Sequence, residues 1–167
     1  MAIVPPPVSA KVHNRQEGPR RAPLQRCVRA SLVMIAGALI GVFAVAFALD
    51  PYQDGKVWLA ETHRQLGLPP CTFKQLTGYP CPSCGMTSSF ALAVRGDLWN
   101  SVRANFVGTM LALGCLAFIP WAAASALKGR LLGVRNTENV VVGGVVGFLV
   151  LMFGRWGIVL ALAFINR

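Results

Sequence analysis

Residues 30–49 run for twenty positions without a charged side chain, and residues 106–127 do the same for twenty-two. A third apolar run, residues 140–165, is interrupted only by Arg155. At helical rise, twenty residues cover about 30 Å, the depth of a bilayer's hydrocarbon core. No water is available there to satisfy backbone N–H and C=O groups, so runs of this kind fold as helices. Charged residues make up 13% of the chain, about half the share of an ordinary soluble domain, which is why such long runs can exist. The expected fold class is therefore all-α: an integral membrane protein with three transmembrane helices over about 30–49, 106–127 and 140–165. A short interfacial or re-entrant helix is expected after a Cys-rich loop.

The placement of charge sets the expected topology. The chain carries +10 net, from sixteen Lys or Arg against six acids. Lys11, Arg15, Arg20, Arg21, Arg26 and Arg29 precede the first run, and Lys128, Arg130 and Arg135 fill the loop between the last two. Basic residues concentrate on the cytoplasmic flanks of membrane spans. A pI near 10.3 could also suggest nucleic acid, but charges confined to membrane flanks exclude that partner class. Residues 1–29, basic and rich in proline, read as a disordered cytoplasmic tail ahead of a membrane domain over 30–167. An uncleaved span is expected at 30–49 rather than a signal peptide, because a long leader precedes it and the apolar stretch is long. The intervening segment, residues 50–105, is nearly balanced in charge and is expected to face outward, as is the C-terminus. The setting this implies is a bacterial cytoplasmic membrane.

That outer segment holds the residues with chemical capacity. Asp54 to Gly67 reads as a short helix, which Pro69 and Pro70 then end. Tyr79-Pro80-Cys81-Pro82-Ser83-Cys84-Gly85-Met86-Thr87 contains a Cys-x-x-Cys pair, with Cys71 ten residues before Cys81. Phe90 to Val94 is apolar but too short to span; Gly96 suits a helix stop and Asp97 an N-cap. The cysteines admit four readings. They could form a disulfide, since an outward face is oxidising in bacteria. They could be a reactive dithiol, with thiolate favoured at a helix N-terminus. Cys71, Cys81 and Cys84 with His63 could make a tetrahedral zinc site. They could also be inert packing residues. Haem attachment is excluded because Gly85 stands where Cys-x-x-Cys-His needs histidine, and no βαβ pattern supports a thioredoxin-like domain.

The same stretch carries a resemblance. Cys71 through Leu76-Thr77-Gly78, then Pro80-Cys81-Pro82-Ser83-Cys84-Gly85-Met86-Thr87, resembles the hallmark of the domain-of-unknown-function family 2752, small bacterial membrane proteins. Gly96-Asp97 and Asn105 resemble that family's positions leading into the next span. Many members have Arg where this chain has Ser88, so a role resting on that cation does not carry over. The resemblance implies a multi-span membrane protein with a cysteine-bearing loop and brings no settled activity with it.

Arg155 stands deep in the third run beside Trp156. An intramembrane cation is costly and faces a partner or the interface. The expected reading is snorkelling to the interface or a structural ion pair; the other is a mechanistic buried cation paired with Asp97 or Asp50 from the outer segment. Three helices enclose little polar volume. That argues against a transport pathway within one copy, and the chain is expected to be non-enzymatic, with an outer Cys site pinned by a disulfide or a metal such as zinc. The alternative is membrane thiol redox or metal handling by the Cys-x-x-Cys pair. The bilayer is the expected surrounding. Gly37 with Gly41, and Gly143, Gly144 and Gly147, offer faces for a helix partner or a second copy.

Overall fold

The computed structural model describes residues 26–53, 55–133 and 136–165. It is an all-α membrane protein. Helix α1 spans Arg26–Ala48, α2 Thr72–Thr77, α3 Met86–Val94, α4 Leu98–Lys128 and α5 Thr137–Ile165. Of these, α1, α4 and α5 are long and apolar enough to cross a membrane. The expected disordered tail falls, as far as residue 25, outside the described residues. Its last positions, from Arg26, already belong to α1.

Between α1 and α2 the expected helix over Asp54 to Gly67 is not formed. Two two-residue strands, Tyr52–Gln53 (β1) and Lys56–Val57 (β2), pair antiparallel, followed by a 3₁₀ helix over Thr62–Leu66. Local hydrogen bonds explain the preference. Asp50 accepts from the Tyr52 amide through Oδ1 at 2.9 Å, a turn-forming arrangement that competes with helix. The Gln65 side chain then ties the two ends together. Its Oε1 accepts from Asp50 N at 2.9 Å, and its Nε2 donates to Asp50 O at 2.6 Å.

The core lies where α3 turns back between α1 and α4. Phe43 of α1, Ala93 of α3 and Ala112 of α4 form one buried cluster, with Phe90, Cys115 and Ile119 packed on it. Phe43 and Phe90 stack with ring centroids 5.7 Å apart. Lower on the same helices, Leu32 and Ala36 pack on Ala122. By contrast, no residue of α5 is buried. Its apolar surface suits lipid, which replaces water as the medium against which a span is stable.

Asp97 caps α4 as its sequence position suggested: its side chain accepts from Asn100 N at 3.2 Å. The non-helical residue inside α4 is Asn105 (φ −160°, ψ 104°), not Pro120. The break divides a first part that carries Arg103 from the uncharged run that begins at Phe106. Asn105 restarts the helix itself, its Oδ1 accepting from Gly108 N at 3.1 Å in the manner of an N-cap.

Candidate metal centre between the first two spans

Cys71 sits at the N-terminus of α2, and its carbonyl accepts from Gln75 N at 3.0 Å. Seven residues later Gly78 takes a left-handed conformation (φ 75°) that ends the helix and turns the chain back. Cys81 and Cys84 then close a tight turn, with Cys84 N donating to Cys81 O at 3.1 Å. These two short elements bring three sulfurs together: the thiol sulfurs of Cys71, Cys81 and Cys84 all lie within 4.8 Å of one another. All three are partly exposed free thiols. They line a pocket of about 350 Å³, with Glu61, His63 and Met86 also in its wall.

Gly85 also lines this pocket. Its φ is +81°, a left-handed value at the start of α3, and a Cβ there would come within 2.5 Å of Ala104 O and 2.9 Å of Leu59 O. Only a residue without a side chain lets α3 begin so close to α4. A neighbouring contact relies on the same economy: a Cβ on Gly108 would run into Ser89 Oγ. From the α4 side, Asn105 Nδ2 donates to Cys84 O at 3.0 Å, so the residue that breaks α4 also holds the cysteine turn.

The surrounding hydroxyls are buried and satisfied, as buried polar groups must be. Ser101 Oγ donates to Ser89 O at 2.8 Å and lies 2.7 Å from Thr109 Oγ1. Ser88 bonds Thr62, which ties α3 to the 3₁₀ helix. The serines after the cysteine cluster thus form a polar seam between helices.

The three thiols are not equivalent electrostatically. Burial pushes Cys81 up, but hydrogen bonds with Ser83, Cys71 and Cys84 outweigh it and hold the thiol below its ordinary value. Burial pushes Cys84 up to about 11, with the charge of Cys81 and Cys71 adding to it. Two cations act on the cluster. Lys74 is within electrostatic reach of Cys84 and Cys71, and Arg155 of Cys84.

The remaining expected site residues fall elsewhere. The Nε2 of His63 lies 3.2 Å from Pro69 O, and His63 is not among the donors that converge within 4.8 Å. Asp97 accepts from Tyr52 Oη at 2.7 Å and from Asn100 Nδ2 at 2.8 Å. Its carboxyl is held below the usual range by those bonds, that from Asn100 first. It does not pair with Arg155, and neither does Asp50, whose carboxylate serves Tyr52. Arg155 instead donates to Ala104 O at 3.4 Å, while Trp156 Nε1 donates to Pro80 O at 2.9 Å. Phe73 meets the Trp156 ring edge-on at 6.0 Å, and Tyr79 meets Phe164 at 5.1 Å. Helix α5 is thereby fastened to the cysteine loop.

One residue went unsuspected from sequence. Arg95, at the end of α3, donates to Phe47 O at 2.6 Å, Ala91 O at 2.9 Å and Ala46 O at 3.3 Å. It caps the carbonyl end of α1, where a cation is favoured by the helix dipole. The signal that could have found it is the bare C-terminus of α1, which has no basic residue in its last turn.

Residues 71–119 match the family described as Protein of unknown function (DUF2752), which bears out the family resemblance read from the cysteine stretch. Comparison with curated proteins and with solved structures gives no match.

Proposed function

We propose that this protein is a three-span protein of a bacterial cytoplasmic membrane that holds a thiophilic metal ion on its outer face. Cys71, Cys81 and Cys84 supply the ligands, and the ion pins the loop between α2 and α3. The observation that carries the reading is the convergence of three sulfurs from two separate short elements within 4.8 Å. A disulfide needs two cysteines and leaves the third without a reason to be there. Metal–thiolate bonds near 2.3 Å place ligand sulfurs somewhat under 4 Å apart, so small rotamer changes suffice to close the site. The bound ion would contribute to folding directly, since the site is built from short elements that have little core of their own.

The topology rests on charge. The basic residues that flank α1 and fill the loop after α4 support a cytoplasmic N-terminus and an outward-facing segment 50–105. The protein acts by binding rather than by turnover in this reading. A helix partner or second copy would meet the exposed glycine face of α5. One observation favours a second reading, thiol redox: Cys81 is held below and Cys84 above the ordinary thiol range, the asymmetry of an attacking and a resting thiol.

Metal analysis of the purified full chain, run beside thiol trapping in cells, separates the two. One equivalent of bound metal with thiols protected from alkylation supports the centre. Metal-free protein whose thiols switch with oxidant supports redox, and permanently blocked thiols without metal support a plain disulfide. Reporter fusions that place residues 50–105 in the cytoplasm would overturn the topology.

A further inference from the structure

Resting on the reading that the three thiols hold a metal, we infer that the ion is a monovalent thiophilic cation of the copper(I) class, bound by three sulfurs without a fourth protein ligand. The donor set is the reason. Cys71, Cys81 and Cys84 converge within 4.8 Å, and among the described residues no His, Asp or Glu donor joins them at that range. The remaining sulfur residue of the pocket wall is Met86, a thioether. Soft sulfur ligands suit copper(I) and zinc alike, but copper(I) accepts three-fold coordination, whereas a structural zinc site closes with four ligands.

The harder donors near the site are committed elsewhere. Glu61 binds Lys74 Nζ at 2.8 Å and faces Arg64 at 3.7 Å. Its own backbone is in the left-handed region (φ 67°), unusual for a residue other than glycine, so the side chain is aimed by a constrained main chain. His63 is turned onto Pro69 O at 3.2 Å. Neither is free to complete a tetrahedron without giving up a contact.

Charge supports a metal–thiolate centre at this place, whichever ion fills it. Three thiolates around a monovalent ion form an anionic centre, which needs nearby cations in a low-dielectric setting. Arg155 lies in a span and forms no salt bridge among the described residues; its guanidinium reaches Ala104 O at 3.4 Å and acts electrostatically on Cys84. An intramembrane cation of this kind calls for an anion. The metal–thiolate centre is the anion within its reach, and Lys74, paired with Glu61, also lies within electrostatic reach of Cys71 and Cys84. Loading is a ligand exchange: thiol protons leave to water, sulfur–metal bonds form, and no electron changes hands.

The test is a competition titration of the reduced full chain in detergent micelles under anaerobic conditions. Copper(I) is supplied against a copper(I) chelator and zinc against a zinc chelator, with X-ray absorption on the loaded protein. The expected result is one copper(I) per chain with a shell of three sulfurs. Arg155→Gln should weaken binding about 10- to 100-fold, the range for groups that support metal ligands from outside. His63→Ala should leave the affinity within about two-fold, because no metal–imidazole bond is lost. A nitrogen or oxygen scatterer in the shell, or a ten-fold loss in His63→Ala, overturns the inference. Zinc retained while copper(I) is not also overturns it but leaves the metal centre standing. Failure of both metals to bind removes the metal centre itself. Cys84→Ser should abolish copper(I) binding, and binding that survives it overturns the inference; should that variant fail to fold, the Arg155 and His63 variants still decide the matter.

Discussion

Replacing Gly85 with alanine tests the joint on which the cysteine site is built. The backbone there is left-handed (φ +81°), so any side chain meets a conformational cost of about 1 kcal/mol or more. A second cost is steric. The new Cβ would lie 2.5 Å from Ala104 O, about 0.9 Å short of ordinary contact at 3.4 Å, and 2.9 Å from Leu59 O. Both obstacles are main-chain atoms, so no side-chain rotation relieves them and α3 must move away from α4. Overpacking of this kind costs about 1–3 kcal/mol, giving about 2–4 kcal/mol in all. For a chain of this size each kcal/mol lowers the melting temperature by about 2–4 °C, so an apparent drop of roughly 5–15 °C is expected in detergent. Gly78→Ala is the control, since Gly78 has a similar φ of +75° but nothing within 4 Å of its added Cβ. It should lose only the backbone cost, about 2–4 °C. Equal melting temperatures for the two variants would refute the close approach of α3 to α4. Because Gly85 adjoins Cys84, the same variant should also lose metal capture, while Gly78→Ala keeps it.

Three further outcomes follow from particular contacts. Arg95→Met keeps the aliphatic stem but removes donation to Phe47 O, Ala46 O and Ala91 O; a loss of about 2–3 kcal/mol is expected by thermal unfolding, and an unchanged melting temperature would contradict the capping role. Tyr52→Phe removes the 2.7 Å bond to Asp97 and should cost about 0.5–1.5 kcal/mol at neutral pH. Asp97 is held low by Asn100 first and Tyr52 second, so its contribution is present above the unfolded carboxyl value and fades as pH falls through the folded one. The wild-type advantage over Tyr52→Phe should therefore shrink below about pH 4, and an advantage that persists into acid would contradict this assignment. In reduced, metal-free protein, iodoacetamide followed by mass spectrometry should label Cys81 well before Cys84 at pH 7.5. Cys84, pushed up to about 11, should react appreciably only as the pH approaches that value; equal rates at pH 7.5 would sink the asymmetry.

The parts of this molecule that depend on nearest neighbours were legible in the sequence. Uncharged runs long enough for a bilayer became α1, most of α4 and α5, because in lipid the helix is the local solution to backbone hydrogen bonding. Asp97 caps α4 through a residue only three positions away, and the Cys81–Cys84 pair needs only a tight turn. Where sequence reading placed a helix between Asp54 and Gly67, the Gln65 side chain reaches back fifteen positions to the Asp50 backbone while the Asp50 carboxylate takes the Tyr52 amide, and a hairpin and 3₁₀ helix form instead. Charge pairing was the least legible. Asp97 and Arg155 look like natural partners as the two conspicuous charges, yet Asp97 goes to Tyr52 and Arg155 to a backbone carbonyl.

The sequence by itself determined that the chain is helical, that three segments can cross a membrane, and that three of its cysteines lie between the first two of them. Tertiary structure decided which thiols meet, and how. Cys71 joins the pair through the turn at Gly78, Asn105 breaks α4 to hold Cys84 from 21 residues away, and Trp156 docks α5 on Pro80 from 76 residues away. The physical reason is range. Hydrophobic length and helix caps are properties of a few consecutive residues. A metal-sized gathering of sulfurs requires close backbone approach, which here depends on Gly85 having no side chain between Ala104 and Leu59.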